Sequence, residues 1–342
     1  MFYSIETQNL TKRFPQAKGY LDLFLYPFRR NEITALNNVS IQVKRGELFG
    51  LLGSNGAGKT TLIKILCTLV LPTSGKAFVN GLDITKDERK IKSKVGYVVS
   101  DERSFYWRLT GRQNLRFFAK LNNICDRESE MRIKRLLELV GLTRDADMMF
   151  KDYSTGMRQK LAVVRGLLTD PEVIFMDEPT RSLDPITAQN LRRLIKEKLV
   201  EGEKKTVVFA THNLKEAEEL CDRIAIIHRG EVKIAGEVRE IKREFNSDKR
   251  YVIRLKAPEP ENGLLKKIRN MPFIKCVTPI PNGSLTKGIE FEIETRENGA
   301  ISQVIKEIVN MDGEIYSFYE KEISLDELFS RVVGAENKGI GG

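Results

Sequence analysis

The chain has 342 residues, of which 41% are hydrophobic and 30% charged, and its formal net charge is +10. This composition excludes a disordered chain, and the length suits two folded domains of ordinary size. No apolar run approaches the roughly 20 residues of a membrane helix, no secretory signal pattern opens the chain and the four cysteines lie far apart, so we expect no membrane span, no leader and neither a disulfide scaffold nor a zinc module.

The positive charge lies mainly in the first third of the chain. Residues 1–100 carry +8, residues 101–245 carry +3 and residues 246–342 carry −1. Such a basic region binds nucleic acid, anionic lipid or a phosphate ligand, or it is an ordinary solvated surface.

The first predicted elements lead into a glycine-rich loop. Residues 33–52 read as strands and turns that end in the apolar run LFGLL, and we expect a helix after the loop, reaching about Leu71 before Pro72. The loop GSNGAGKTT matches the pattern G-x-x-x-x-G-K-[ST], in which backbone N–H groups and the lysine bind phosphates while the hydroxyl serves Mg²⁺. The residues that we expect to bind a nucleoside triphosphate are Gly53, Ser54, Asn55, Gly56, Ala57, Gly58, Lys59, Thr60 and Thr61.

Further apolar runs along the chain predict a mainly parallel sheet with helices on its faces. They are Val95–Val99, Val173–Met176, Val207–Ala210 and Ile224–Ile227. Residues 101–170 instead predict a helical insertion, with Thr110 and Ser154 as caps and with an apolar stripe that ends at Gly141.

Polar residues follow two of these strands. Asp177 and Glu178 end one strand, where Mg²⁺ and Lys59 would compensate their charge, and one carboxylate could polarise the attacking water. His212 follows the next strand. An acidic strand-end turn and a structural histidine are the ordinary alternatives.

The C-terminal part predicts a second fold. Strands and helices over residues 246–334 follow the order βαββαβ, which is typical of a small ferredoxin-like α+β domain, and residues 335–342 are expected to form a mobile tail. RNA-binding domains share this order, but Glu290, Glu292 and Glu294 follow one face of a strand, so we expect no nucleic acid there.

Together, these motifs resemble the ATP-binding subunits of ABC transporters over residues 4–240. The resemblance rests on GSNGAGKTT, YSTGMRQ at 153–159, VIFMDEP, SLD at 182–184 and ATH at 210–212, in the order and spacing of that family. The C-terminal domain resembles the small domain of drug- and polymer-exporter ATPase subunits, most closely at ISLDELFSRVVG.

The resemblance implies a mechanism in which two subunits sandwich two ATP molecules. Asp177 would serve Mg²⁺, Glu178 would be the catalytic base, His212 would contact the γ-phosphate, and Asp184 would lie at the subunit junction. Phe14 would stack on adenine, although a core or loop aromatic is the alternative. The residues that would close over the partner subunit's ATP are Ser154, Thr155, Gly156 and Met157.

The chain departs from the family pattern at three positions. Ser100 stands where glutamine is usual after the strand, and its shorter side chain could still reach a water or Mg²⁺. In the signature, Thr155 replaces the usual glycine and Met157 the usual glutamine.

The expected function is to power export through a separate polytopic membrane protein, at the cytoplasmic face of the membrane. An ABC ATPase acting on ribosomes or DNA is the alternative, since the first third is basic. An importer subunit fits less well, because its appended domain is longer, and a GTPase or nucleotide kinase lacks the signature. The aromatic and basic segment 20–30 would contact the membrane subunit or fold onto the core as a strand or hairpin.

Overall fold

The computed structural model describes residues 3–16, 32–99, 104–245, 249–256, 261–280, 289–296, 300–321 and 323–337. The chain divides into two units, one made of Met1–Val238 with Val332–Gly342 and the other of Arg239–Arg331. The segment 20–30 and Ser100, both named in the predictions, lie outside the described residues.

The strands of the larger unit are, in chain order, β1 (Tyr3–Pro15), β2 (Glu32–Val39), β3 (Gln42–Lys44), β4 (Leu48–Leu52), β5 (Ser74–Val79), β6 (Leu82–Asp83), β7 (Val95–Val99), β8 (Val173–Asp177), β9 (Thr206–Thr211), β10 (Arg223–His228) and β11 (Glu231–Glu237). Its helices are α1 (Lys59–Leu66), α2 (Glu88–Lys94), α3 (Gly111–Leu121), α4 (Asp126–Leu139), α5 (Thr155–Leu167), α6 (Pro185–Arg193) and α7 (Leu214–Leu220). Helix α6 continues as a π-helix over Leu194–Gly202, and α8 (Val238–Phe245) begins where this unit ends.

The central sheet is mainly parallel, as predicted. Its strand order is β11-β10-β4-β9-β8-β7, with only the edge pair β10 and β11 antiparallel. Strands β4, β8 and β9 are buried at every residue, which is why they read as continuous apolar runs rather than alternating ones. The α/β class expected from the sequence is therefore confirmed.

A second sheet is antiparallel and is organised by the long strand β1, which the sequence analysis missed. Its order is β2-β1-β5-β6, and β3 also pairs with β1. Asn9 has a φ of 50°, and the pairing registers shift beside it. This irregularity lets the first half of β1 pair with β3 and β5 while the second half pairs with β2.

The helical insertion forms at the predicted caps. Thr110 makes a capping box with Gln113 at the start of α3, and Ser154 accepts a hydrogen bond from the Met157 N–H at the start of α5. Gly141, with a φ of 70°, ends the turn after α4.

The helix after the glycine-rich loop is shorter than predicted. It ends at Leu66, not near Leu71, because Thr68 adopts a φ of 59° and the N–H groups of Leu69 and Val70 both turn back to the Lys64 carbonyl. Pro72 therefore plays no part in stopping it.

The smaller unit has the predicted βαββαβ order followed by one more helix. Its elements are β12 (Lys249–Lys256), α9 (Glu261–Arg269), β13 (Ile274–Ile280), β14 (Ile289–Thr295), α10 (Ala300–Asn310), β15 (Glu314–Glu320) and the part of α11 (Leu325–Asn337) that ends at Arg331. The antiparallel sheet has the order β13-β14-β12-β15, and α9 and α10 pack on one face through residues such as Leu264 and Val304. Because α11 runs to Asn337, residues 335–337 of the expected tail are helical, and residues 338–342 lie outside the described part.

The opposite face of this sheet carries charges. Arg250 lies on that face and pairs with Glu292 of β14 and Glu327 of α11, and Lys321 also pairs with Glu292. Glu294 pairs with Lys275 on the neighbouring edge strand. The acidic stripe seen in the sequence is thus largely balanced by cations of the same unit.

Candidate active site

The predicted site residues meet at the carboxyl ends of adjacent parallel strands. The glycine-rich loop follows β4. Asp177 is the last residue of β8 and Glu178 comes directly after it, and His212 comes directly after β9. Strands β4, β9 and β8 are consecutive neighbours in the sheet, so their ends lie side by side. This edge is where open α/β sheets bind their ligands.

The loop is shaped by its glycines and by close backbone neighbours. Gly56 and Gly58 have φ values of 79° and 114°, and Gly58 precedes the first residue of α1. A Cβ on Gly53 would lie 2.3 Å from the Ile227 carbonyl oxygen, so only glycine fits there. The loop thus points backbone N–H groups and a helix N-terminus at one place, which is a site for phosphate.

Lys59 is held inside this loop. Its Nζ donates to the Gly53 carbonyl oxygen at 2.6 Å and to that of Ser54 at 3.3 Å, and it lies 3.4 Å from Glu178 Oε1. Lys59 is 5% exposed, so water screens the charge of its ammonium group only weakly.

Asp177 and Thr60 form the second pair of the site. Thr60 donates its hydroxyl hydrogen to Asp177 Oδ2 at 2.7 Å. Burial raises the pKa of Asp177, an effect that the Thr60 hydrogen bond partly opposes and that the charge of Glu178 reinforces. A nearby cation would relieve the cost of this buried carboxylate.

Glu178 stands between a lysine and a histidine. Its Oε2 lies 2.7 Å from His212 Nδ1, and its Oε1 faces Lys59. Its backbone has a φ of 52°, an uncommon conformation for glutamate, and its N–H donates to the Ala210 carbonyl of β9. The left-handed backbone of Glu178 and its hydrogen bond to β9 therefore set the direction in which its side chain leaves the main chain.

The signature residues begin α5, and Asp184 begins α6. Ser154 is the N-cap of α5, and Asp184 is the N-cap of α6, where its carboxylate accepts from the N–H groups of Ile186 and Thr187. The Thr187 side chain, followed by these N–H groups, lowers the pKa of Asp184 by hydrogen bonding to its carboxylate. A Cβ on Gly156 would approach Thr187 Cγ2 to 3.0 Å, so the two helix starts lie against each other.

A cleft of about 530 Å³ opens over the glycine-rich loop, a size that suits a nucleotide. Asp177 and Glu178 line it, as does one face of α5 at the helical spacing of residues 155, 158, 159 and 162. Of the predicted signature residues only Thr155 lines it. Asp184 and Phe14 do not, and Phe14 is 37% exposed on β1 with the Lys12 ammonium over its ring.

Several cleft residues were not predicted as site residues, and the polar ones include Gln159, which lies within the quoted motif at 153–159, and Arg181. Gln159 follows Thr155 by one helical turn, and Arg181 follows Glu178 by three residues. Both spacings are visible in the sequence. They indicate a shared site only when Thr155 and Glu178 have already been placed in that site.

Comparison with known proteins matches both parts of the chain. Residues 36–181 match the family described as ABC transporter, and residues 236–333 match the family described as ATP-binding protein DrrA1-3-like, C-terminal domain. The ABC transporter ATP-binding protein NatA of Bacillus subtilis (strain 168) is 35% identical over 225 residues, which cover 66% of this chain and 91% of NatA.

Further matches have the same character. The bacitracin transport ATP-binding protein BcrA of Enterococcus faecalis is 34% identical over 230 residues, covering 67% of this chain and 68% of BcrA. The dimeric post-hydrolysis structure of the ATP-binding cassette MJ0796, bound to ADP and Pi, matches with a TM-score of 0.59 at 28% identity, covering 69% of this chain and 99% of that one.

Proposed function

We propose that this chain, which belongs to the ABC transporter family of ATP-binding proteins, powers the export of a substrate through a separate membrane protein. It binds and hydrolyses ATP, as the other ATPases of its family do. The single observation that best supports the catalytic part is the contact of Glu178 with both Lys59 and His212 beside the phosphate-binding loop.

We assign the chemical step to Glu178 as general base. Its carboxylate would accept a proton from the water that attacks the γ-phosphate, and His212 and Lys59 hold it in position. Lys59 and the loop N–H groups would bind the phosphates and stabilise the charge that develops on them.

The residues present suit Mg²⁺. Thr60 and Asp177 supply two oxygen ligands that already meet at 2.7 Å, and Mg²⁺ takes few protein oxygens together with phosphates and waters. Within the described residues no group of three or more His, Cys, Asp and Glu could hold a metal by itself. When bound, Mg²⁺ supplies charge neutralisation on the transferred phosphate. We also propose that Ser100 contacts Mg²⁺ or a water beside it.

We propose a dimer with two sandwiched ATP molecules. The start of α5 presents the exposed Ser154 and free N–H groups of a helix N-terminus, and Ser154, Gly156 and Met157 do not line the cleft of their own chain. An ATP bound to a second copy, or to a related subunit, would use them, with Asp184 at the junction. The dimeric MJ0796 structure supports this arrangement.

The role in export rests on the C-terminal match and on the name of BcrA as a bacitracin transport protein. No helix among the described residues combines the length and apolarity that a membrane span needs. From the names of these relatives we propose a separate polytopic membrane subunit, reached from the cytoplasmic face of the membrane. Residues 1–245 would form the ATPase domain, and residues 246–334 an accessory domain without a nucleic-acid partner.

Nucleotide binding tests the first part of the proposal. Lys59→Ala should weaken binding of Mg²⁺-ATP by two orders of magnitude or more, because it removes a buried phosphate-binding charge. Lys76→Ala, an exposed lysine on β5, should leave binding unchanged. Equal binding by both variants in a calorimetric titration would contradict the assigned site.

Co-purification tests the second part. The tagged chain, extracted in mild detergent from its own cells, should carry a polytopic membrane protein that mass spectrometry identifies. Recovery of ribosomal RNA or DNA in its place would favour the alternative function, an ABC ATPase that acts on ribosomes or DNA. The basic first third of the chain is the observation behind that alternative.

A further inference from the structure

Arg181 is a cleft residue with no role in the mechanism so far. It lines the same cleft as the phosphate-binding loop, Asp177 and Glu178, and it is exposed. Its backbone N–H donates to the Glu178 backbone carbonyl at 3.1 Å, so Arg181 lies one tight turn after the residue that we assign as the base. A ligand that contacts Glu178 in this cleft is therefore within reach of the Arg181 side chain.

The guanidinium of Arg181 has no ion pair or side-chain hydrogen bond within the described part of the chain. The two carboxylates nearest in sequence are engaged elsewhere: Glu178 faces Lys59 and His212, and Asp184 accepts from the N–H groups of Ile186 and Thr187. The other arginine of the cleft, Arg158, is engaged, since it lies 4.6 Å from the centre of the Trp107 ring and donates to the Lys151 carbonyl. Arg181 is thus a cation of the phosphate cleft whose guanidinium N–H donors have no partner among the described protein groups.

Several arginines elsewhere in the larger unit do have carboxylate partners. Arg112 pairs with Asp147, Arg116 with Glu130 and Arg192 with Glu216. The lack of a partner at Arg181 is therefore not a general feature of arginines on this surface.

We infer that Arg181 contacts the terminal phosphate of the ATP bound to its own chain, and so makes the site prefer ATP over ADP. The planar guanidinium matches phosphate oxygens in a two-pronged geometry. Its position one turn after Glu178 puts the γ-phosphate within reach of the guanidinium, because the base must face the water that attacks that phosphate. This inference rests on the proposed ATPase function and deepens it.

The cleft charges support such a role. Asp177 and Glu178 bring two carboxylates next to a ligand that is itself an anion, and the terminal phosphate keeps negative charge even when Mg²⁺ is bound. A further cation in the cleft reduces the repulsion between these carboxylates and the terminal phosphate. ADP lacks that phosphate, so Arg181 should contribute little to its binding.

The test compares two nucleotides on three variants of the full chain. Calorimetry or fluorescence titration measures binding of ADP and of the non-hydrolysable analogue AMP-PNP, both with Mg²⁺, at a protein concentration where size-exclusion chromatography shows a monomer. We expect Arg181→Ala to weaken AMP-PNP binding about tenfold or more, and ADP binding less than twofold. Arg181→Lys should recover part of the loss, since it restores the charge without the fork.

Arg193→Ala is the matched control. Arg193 is an exposed arginine on α6 that faces Glu197 at 3.9 Å, outside the cleft, and its loss should change neither affinity. Unchanged fluorescence of Trp107 checks that Arg181→Ala is folded.

Each other outcome is decisive. Equal weakening of both nucleotides, or no weakening of either, would overturn the inference while leaving the proposed function intact. An effect of Arg181→Ala that appears only in the dimer would overturn the contact within its own chain. Failure of the unaltered chain to bind either nucleotide would instead reject the proposed function.

Discussion

The larger and the smaller unit both carry carboxylates on a sheet, but they balance them differently. In the smaller unit, Arg250, Lys321 and Lys275 of the same unit pair with Glu292 and Glu294. In the larger unit, Glu178 faces one lysine and one histidine, Asp177 accepts from the Thr60 hydroxyl, and burial raises the pKa of Asp177.

This difference separates a structural charge cluster from a functional one. Charges that are matched within the unit stabilise it and ask for no ligand. Carboxylates at a strand end whose charge the protein's own cations do not balance can bind an external cation and take part in proton transfer. Substitutions in the two clusters should therefore affect different properties.

The largest effect is expected at the functional cluster. Glu178→Gln should lower the ATP turnover number by two to four orders of magnitude, because the amide cannot accept the proton of the attacking water. ATP binding should persist and an ATP-bound dimer should accumulate, as gel filtration would detect. Glu201→Gln, an exposed residue after α6, is the control. Near-normal turnover in Glu178→Gln would remove Glu178 from the mechanism.

The structural cluster should respond in stability rather than activity. Arg250→Ala leaves Glu292 and Glu327 without their shared cation and should destabilise the smaller unit by about 2 kcal/mol, less than a fully buried pair costs, since the Glu327 side chain is 35% exposed. Hydrogen exchange in residues 249–320 should accelerate, while the fluorescence of Trp107, the single tryptophan, should report an unchanged larger unit.

The neighbouring Lys249 provides the control for that experiment. Its pair with Glu320 is exposed and 3.7 Å long, so Lys249→Ala should cost at most a few tenths of a kcal/mol. A loss of ATP turnover in Arg250→Ala would break the comparison, because it would give the matched cluster a part in catalysis.

Two helix caps within the larger unit allow the same distinction between a structural and a functional residue. Thr110→Ala and Ser154→Ala each remove an N-cap hydrogen bond and should each lower the free energy of unfolding by about 1 kcal/mol. Only Ser154→Ala should also lower turnover, about tenfold, because we place the start of α5 against the partner's ATP. Parallel loss of turnover in both variants would reduce Ser154 to a purely structural cap.

The smallest expected effect is a gain in stability. Because burial raises the pKa of Asp177, the folded chain disfavours its ionised form, and Asp177→Asn should stabilise the nucleotide-free protein by roughly 0.5–1 kcal/mol at neutral pH. The gain should disappear below the ordinary pKa of aspartate, where both the folded and the unfolded chain are protonated. Urea unfolding with a chelator at pH 7 and pH 3 measures it.

Asp152→Asn, at an exposed aspartate, should leave stability unchanged at both pH values and serves as control. A loss of stability in Asp177→Asn at pH 7 would mean that the hydrogen bond from Thr60 outweighs the burial of the charge.

Much of the site could be predicted from the sequence because its parts are local motifs. The loop from Gly53 to Thr60 and the strand-end pair Asp177 and Glu178 each lie within a few residues of one another, and the caps Thr110 and Ser154 act on their own helices. Their roles in catalysis follow from the family resemblance, not from these local patterns.

What escaped prediction depends on tertiary contacts or on single backbone conformations. Arg181 acquires meaning only when β8 and α5 come together at one cleft. The early end of α1 depends on the left-handed Thr68, and β1 is a polar strand that changes partners at Asn9. The cations that balance Glu292 come from β12 and from the residue after β15, which no sequence spacing relates to it.

The place of β4 in the sheet has a consequence for biosynthesis. This strand, which carries the phosphate loop, has β9 and β10 as its two neighbours, and both follow it by more than 150 residues. At about 5–20 residues per second, the ribosome needs roughly 10–30 seconds to supply them. Until Thr206–Thr211 emerges, the apolar segment LFGLL has no strand to pair with, and the nascent chain depends on chaperones or on transient contacts to avoid aggregation.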